Sequence, residues 1–307
     1  MKKLLLPNQL SIATLNNTEA RILYHEIFTA GAYQKHGVEL KKNDCVFDIG
    51  ANIGMFALYA NSRCTDIKLF AFEPVQRIYE VLKQNVTDHL KVRDVHLFHR
   101  GLSDKNESVS FNYTPSLSMT AGRYSEELKK TVQKNISLCK WMQALLSDFV
   151  KSNHRFNRII NGLIKGLQIP ILQLLLLLIV LVPLSIYLFF LKFTTQTITC
   201  RLQPLSAVIK ENSVTQIDLC KIDVEGSEWD VLLGIDTDDW SLFKQFIIEV
   251  HDIDGRVMQM QNYLEQKGFE VIVDQEDWEL HQLMNIYTIY AKKKQLSCIQ
   301  PMPIAEI

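Results

Sequence analysis

Two acidic residues close two apolar runs, and their surroundings determine what they can hold. Cys45-Val46-Phe47 leads into Asp48, and Leu69-Phe70-Ala71-Phe72 leads into Glu73. Between them lies Ile49-Gly50-Ala51-Asn52-Ile53-Gly54, followed by apolar residues at Ile53, Phe56, Ala57 and Ala60, one face of a helix. A strand, a glycine turn and a helix N-terminus together receive nucleotide-like ligands at the carboxyl edge of an α/β sheet. Glycine permits close backbone approach, and the first N–H groups of the helix are free to donate. The spacing from Gly50 to Gly54 is Gly-x-x-x-Gly, which is not the pyrophosphate-binding pattern. Asp48 would repel a phosphate but suits the amine of an amino-acid moiety. Glu73, about 20 residues past the loop, stands where a carboxylate takes ribose hydroxyls. An amine site plus a ribose site fits S-adenosylmethionine better than a dinucleotide. The plain alternative is an ordinary strand–helix–strand unit with its caps.

A second group of polar residues closes two later runs. Gln216-Ile217-Asp218-Leu219-Cys220-Lys221-Ile222-Asp223 leads into Val224-Glu225-Gly226-Ser227-Glu228, and Gln245-Phe246-Ile247-Ile248-Glu249-Val250 leads into His251-Asp252. In a parallel sheet all four strand ends face one side. Methyl transfer to oxygen needs a sulfonium donor, an aligned acceptor hydroxyl and a base for its proton. His251 is the natural base, because its ordinary pKa lies near working pH, and Asp223 would orient the acceptor or the sulfonium. Asp223, Glu225, Glu249 and His251 could instead hold a divalent cation such as Mg2+ that lowers the acceptor's pKa. The plain alternatives are that Glu225 caps a helix, Glu228 favours its dipole and His251 is structural. Asp104, in Gly101-Leu102-Ser103-Asp104, falls where a contact to the adenine end is expected; a turn aspartate is the alternative.

The elements that position these residues alternate. Strand 45–49, helix 52–61, strand 68–73, a helix with Val75, Ile78, Leu82 and Val86 on one face, and strand 95–99 come first. A turn at 101–104 and strand 108–113 follow. Later come a short helix through Leu205, Val208 and Ile209, strand 216–223, a helix with Trp229, Leu232 and Leu233, strand 245–250, helix 254–267, and strands 269–273 and 285–291. Such alternation predicts a mostly parallel sheet with helices on both faces. Residues 1–44 form a cap segment with a short amphipathic helix through Tyr24, Ile27 and Phe28. The core then runs over 45–120 and 198–292, interrupted by a helical insert at 121–197. Lys292-Lys293-Lys294 and the tail at 293–307 fall outside the fold.

The insert contains an apolar stretch, 169–193, with no charge before Lys192 and five consecutive leucines from Leu174 to Leu178. Its length suits a membrane span. One full crossing, however, would separate two halves of a sheet that must share hydrogen bonds, and basic residues flank both ends. Pro183 would kink a helix there. The expectation is therefore a membrane anchor that re-enters or lies in the interface, with a buried helix or a homodimer contact as the alternative. The net charge of −1 suggests no nucleic-acid partner. The six cysteines form no CxxC pair, which predicts reduced thiols in a cytoplasmic protein.

Phe47-Asp48-Ile49-Gly50-Ala51-Asn52-Ile53-Gly54, Phe72-Glu73-Pro74 and Lys221-Ile222-Asp223-Val224-Glu225-Gly226-Ser227-Glu228 resemble the motif set of the FkbM-type methyltransferases. Leu23-Tyr24-His25-Glu26-Ile27-Phe28 and Ile248 through Arg256 resemble the branch found with polyketide and nonribosomal-peptide clusters. The resemblance covers roughly 20–120 and 198–292. It implies a class I methyltransferase fold, a Rossmann-like seven-stranded sheet ending in an antiparallel hairpin. It implies S-adenosylmethionine as cofactor, with Asp48, Gly50 and Asn52 at its methionine end and Glu73 at its ribose. The expected activity is O-methylation of a natural product, with a small-molecule or carrier-bound acceptor. A sugar or lipid-linked glycan is a second candidate acceptor, and a non-catalytic tethered binding protein is a reading of another class.

Overall fold

The protein was analysed as a computed structural model that describes residues 1–90, 94–115, 121, 195–277 and 279–294. Labels below run through the described elements. An N-terminal hairpin, β1 (Lys2–Leu5) and β2 (Ser11–Thr14), precedes helix α1 (Asn17–Tyr24), which Asn16 caps by accepting from the Thr18 N–H. The helix continues as a π-turn over His25–Thr29. The stretch at Lys2–Leu5 is thus a strand in which Leu4 packs inward while Leu5 is exposed.

The main sheet contains β3 (Cys45–Ile49), β4 (Lys68–Phe72), β5 (Asp94–Phe98), β9 (Leu219–Ile222), β10 (Gln245–His251), β11 (Phe269–Asp274) and β12 (Ile286–Lys293). Its order is β11-β12-β10-β9-β3-β4-β5. All neighbours are parallel except the two pairs made by β12. This is the class I methyltransferase arrangement, with the antiparallel final hairpin. The chain winds outward from β3 through β4 to β5, then returns to β9 and winds the other way. The switch point therefore lies between β3 and β9, where α/β sheets bind ligands.

The strands are buried on both faces, and their period of two sorts side chains between two cores. Phe47, Ile49, Phe70, Phe72, Cys220, Ile222, Phe246 and Ile248 face α4 (Leu205–Glu211), α5 (Glu228–Leu233) and α6 (Arg256–Gln266). Their rings stack across strands, with Phe47 to Phe70 and Phe72 to Phe98 each at 4.7 Å. Val46, Leu69, Ala71, Leu219 and Ile247 face α2 (Met55–Arg63), α3 (Gln76–His89) and the N-terminal segment. Asp48, Glu73, Lys221, Asp223, Glu249 and His251 share the parity of this second set.

Four expectations are corrected. Gly101–Ser103 is not a turn but strand β6, which joins β7 (Glu107–Tyr113) and β8 (Gln196–Pro204) in a separate three-stranded sheet of order β6-β8-β7. Helix α2 begins at Met55 rather than 52, because Asn52 and Gly54 take left-handed φ values of 47° and 87°. The strand expected over 216–223 is shorter, and Ile217 makes only an isolated bridge to Phe243. Lys292 and Lys293 belong to the fold: they close β12, and their ammonium groups donate to the carbonyls of Gly37 and of Trp240 and Lys267. The apolar stretch 169–193 lies outside the described residues, among which no helix is long and apolar enough to cross a membrane. The four described cysteines, Cys45, Cys64, Cys200 and Cys220, are free thiols.

Candidate active site

Register alone creates the centre of the site. Asp48 and Lys221 stand opposite each other across the parallel β3–β9 pair and on the same face. The Lys221 Nζ lies 3.2 Å from Asp48 Oδ1 and 3.3 Å from Asp223 Oδ2, and donates to the Gly50 carbonyl at 2.8 Å. Both ends of the pair are buried. Burial would lower the Lys221 pKa, but Asp223 and Asp48 outweigh it and raise it. Burial raises the Asp48 carboxyl, with Lys221 opposing. Neither Asp48 oxygen accepts a hydrogen bond with good geometry. An acid at 0% exposure whose one close partner is a shared ammonium retains acceptor capacity for a second cation.

The loop after β3 is shaped by steric demands of its own. Gly50 has φ 79°, and a Cβ there would come within 1.7 Å of the Asp223 carbonyl oxygen. The glycine is therefore required by the approach of the β9 loop. Gly54 has φ 87° and packs on Leu82. The Asn52 side chain accepts from the Ile53 N–H at 2.7 Å. Glu73, nearly buried at the end of β4, accepts from the Asn52 N–H at 3.1 Å and the Val75 N–H at 2.9 Å. Burial pushes its carboxyl up to about 7, against those two N–H groups. Asp48, Gly50, Asn52, Gly54 and Glu73 thus lie together at the carboxyl ends of β3 and β4. Asp104 is exposed after β6 and accepts from the Ser103 hydroxyl at 3.1 Å.

The other edge is dominated by acids. Glu225 has φ 53°, a left-handed conformation costly for a side chain with a Cβ. Its loop is held by Arg256, which donates to the Gly226 carbonyl at 2.6 Å, and by Glu228, which accepts from the Gly226 N–H at 2.7 Å. His251 is 2% exposed, its Nε2 3.5 Å from Glu225 Oε2 and its Nδ1 3.4 Å from Glu228 Oε1. Burial would lower its pKa, but Glu228 and Glu225 outweigh it and push it up to about 9. His251 thus lies between the Glu225 and Glu228 carboxyl groups, which favour its protonated form. A raised pKa makes the ring a better holder of a proton than an ordinary histidine.

The cation cage expected from Asp223, Glu225, Glu249 and His251 does not form. Among the described residues no three His, Cys, Asp or Glu side chains are disposed to hold a metal. The reason is local: His251 engages Glu225 and Glu228, and Asp223 turns to Lys221.

Three side chains at the site were missed in the sequence. Lys221 was readable from strand parity once the β3–β9 pairing was known. Glu26 comes from the π-turn, a feature frequent at functional sites. Tyr33 comes from the segment that follows. Burial first, and then the Asp223 charge, pushes the Glu26 carboxyl up to about 8 and raises Tyr33 well above its ordinary value. Glu225 is likewise pushed up to about 8 by burial and its acidic neighbours, with His251 opposing, and Glu249 is raised well above its ordinary value by burial and Asp223. Their placement depends on the N-terminal cap folding back across the sheet, for which no short motif exists.

S-adenosylmethionine fits this arrangement. Asp48 offers a buried carboxylate to an amine, and Glu73 closes the adjacent strand. The surplus of carboxyls beyond Lys221 and His251 favours a ligand bearing positive charge.

The model of the Methyltransferase FkbM domain matches residues 48–271. The chain is 30% identical over 288 residues to the 31-O-demethyl-FK506 methyltransferase FkbM of Streptomyces tacrolimicus, covering 92% of this chain and 96% of that one. It is 26% identical over 279 residues to Methyltransferase sdnD of Sordaria araneosa, covering 88% and 90%. It is also 30% identical over 276 residues to AMB antimetabolite synthetase AmbE of Pseudomonas aeruginosa, a match that spans 88% of this chain and 12% of that protein.

Proposed function

The chain belongs to the FkbM family of methyltransferases, and from that premise we propose that it transfers a methyl group from S-adenosylmethionine to a hydroxyl oxygen of a natural product. The observation that carries the donor assignment is the buried Asp48–Lys221 pair at the switch point, beside Glu73. The bound donor supplies an electrophilic methyl group on a sulfonium. Asp48 then holds the donor's amine, and Glu73 its ribose hydroxyls. The Streptomyces tacrolimicus relative is a 31-O-demethyl-FK506 methyltransferase, which supports oxygen as the acceptor atom here.

On this reading Glu225 receives the acceptor's proton. Its side chain is 20% exposed, it faces the acidic edge, and His251 fixes its carboxylate. A base with a pKa near working pH gives the best compromise between availability and driving force. Asp104 remains the candidate for the adenine end. The apolar stretch 169–193 supports association with a membrane on sequence grounds alone, and a lipophilic or carrier-bound acceptor would suit that location.

Calorimetric titration of S-adenosylmethionine into the wild type, Asp48→Asn and Glu73→Gln tests the donor site. Saturable binding that both substitutions weaken by about tenfold or more supports it. A folded wild type that does not bind would refute it.

A further inference from the structure

The small β6-β8-β7 sheet has an outward face that the proposed reaction does not use. On β8, Cys200 and Leu202 point into the core, so Arg201 and Gln203 point away from it. Ser108 of β7 stands opposite Arg201 in the antiparallel register. Arg100 enters the same groove from the chain between β5 and β6, with His99 and Asn106 at its margins. Donors from β7, β8 and the β5–β6 connection thus line one concavity.

Their hydrogen bonding is incomplete in a specific way. Arg100 donates to Gln203 Oε1, which fixes the orientation of that amide. Gln203 is 7% exposed, yet its Nε2 has no hydrogen-bond partner among the described residues. A buried donor of this kind is costly unless something accepts from it. The Arg201 side chain is exposed and makes no ion pair among the described residues. Arg100 packs over Phe98 at 5.6 Å and lies 3.6 Å from the largely exposed Glu211 carboxylate, so its charge is only weakly neutralised. The groove's carboxylate, Glu107, lies 3.8 Å from Lys105.

We propose that this groove, built by Arg100, Ser108, Arg201 and Gln203, binds a phosphate group, either as the free ion or as a phosphate ester of a larger ligand. Two guanidinium forks, an amide N–H and a hydroxyl offer more donors than the two oxygens of a carboxylate accept. A tetrahedral phosphate presents oxygens in several directions and takes bidentate bonds from arginine. The Asp48–Lys221 centre lies elsewhere, between β3 and β9, so the groove adds a second ligand to the molecule.

The test is calorimetric titration of the full chain at constant ionic strength. The probes are inorganic phosphate, glycerol phosphate as a monoester and dimethyl phosphate as a diester, with sodium chloride as the blank. The expected result is saturable binding of at least one probe, weakened about tenfold by Arg201→Ala and by Gln203→Leu. Tighter binding of inorganic phosphate assigns the site to the free ion, and tighter binding of an ester assigns it to a larger ligand. Arg201 is exposed, so its variant reports on binding even if Gln203→Leu disturbs folding. Heats indistinguishable from the chloride blank, or saturable binding that Arg201→Ala leaves unchanged, would overturn the proposal.

Discussion

The loops after β3 and after β9 face each other across the switch point, and they solve the same problem in opposite ways. Both need left-handed backbone: Gly50, Asn52 and Gly54 in the first, Glu225 and Gly226 in the second. The first loop places glycine where the other loop presses closest. The second places a glutamate in the strained position and holds it with Arg256, Glu228 and His251. The charges divide in the same manner. At the first edge the ammonium of Lys221 serves Asp48 and the Gly50 carbonyl. At the second, burial and mutual repulsion raise the Glu26, Glu225 and Glu249 carboxyls above their ordinary range. A site that binds a fixed ligand benefits from the first design. A site that must accept a proton benefits from the second.

Gly50→Ala would break the first loop most severely. It forces a Cβ to within 1.7 Å of the Asp223 carbonyl at a φ of 79°. The left-handed penalty alone is about 1–2 kcal/mol, and the backbone clash adds to it. A loss of more than ~3 kcal/mol is expected, read as a lowered midpoint in urea. Lys221→Met should cost nearly as much, roughly 3 kcal/mol, because Asp48 is left buried without its counter-charge. Glu225→Gln should sharpen the contrast. It removes a carboxylate from a crowded edge, so stability should hold or rise while methyl transfer falls by about a hundredfold or more. Loss of stability equal to that of Lys221→Met would show that both edges depend on charge pairing alike.

The pH dependence separates the edges further. His251, raised to about 9, binds its proton more tightly in the folded state, so its contribution is full below its ordinary pKa of 6.5 and is lost as pH rises through 9. Glu225 and Glu26, raised to about 8 from 4.5, are protonated more readily when folded, so ionising them as pH rises from 4.5 to 8 also lowers stability. Both signs agree, and the melting temperature should decline from about pH 4.5 to 9, most steeply between 6.5 and 8 where the windows overlap. His251→Gln should flatten that decline. The smallest effect is expected from Asn85→Ala. This buried amide donates to the carbonyls of Ala13 and Ile53 and accepts from the Ala13 N–H, tying the N-terminal hairpin to the glycine loop. Its removal should cost about 1–3 kcal/mol, read by denaturant unfolding, with donor affinity changed only several-fold.

The first edge was legible in the sequence because its markers are local: an acid after an apolar run, glycines in the turn, and an acid closing the next strand. Lys221 was hidden because its meaning depends on being opposite Asp48, 173 positions earlier in the chain, which a strand-by-strand reading does not reveal. His251 was found for its ordinary pKa, and its neighbours then change that pKa. Gly101-Leu102-Ser103 reads as a turn by composition. It is a strand because β8, returning from far along the chain, offers it a parallel partner.

The β7–β8 ribbon has one further consequence. It carries the chain out at Tyr113 and back at Gln196, which are paired in register, and just beyond them the hydroxyls of Thr114 and Thr195 meet at 2.8 Å. Departure and return are adjacent, so the entropy of closing whatever lies between grows only with the logarithm of its length, by ~0.6 kcal/mol for each doubling. The position is a socket. A change in the length of what lies between therefore costs little in closure entropy while the ribbon keeps its register.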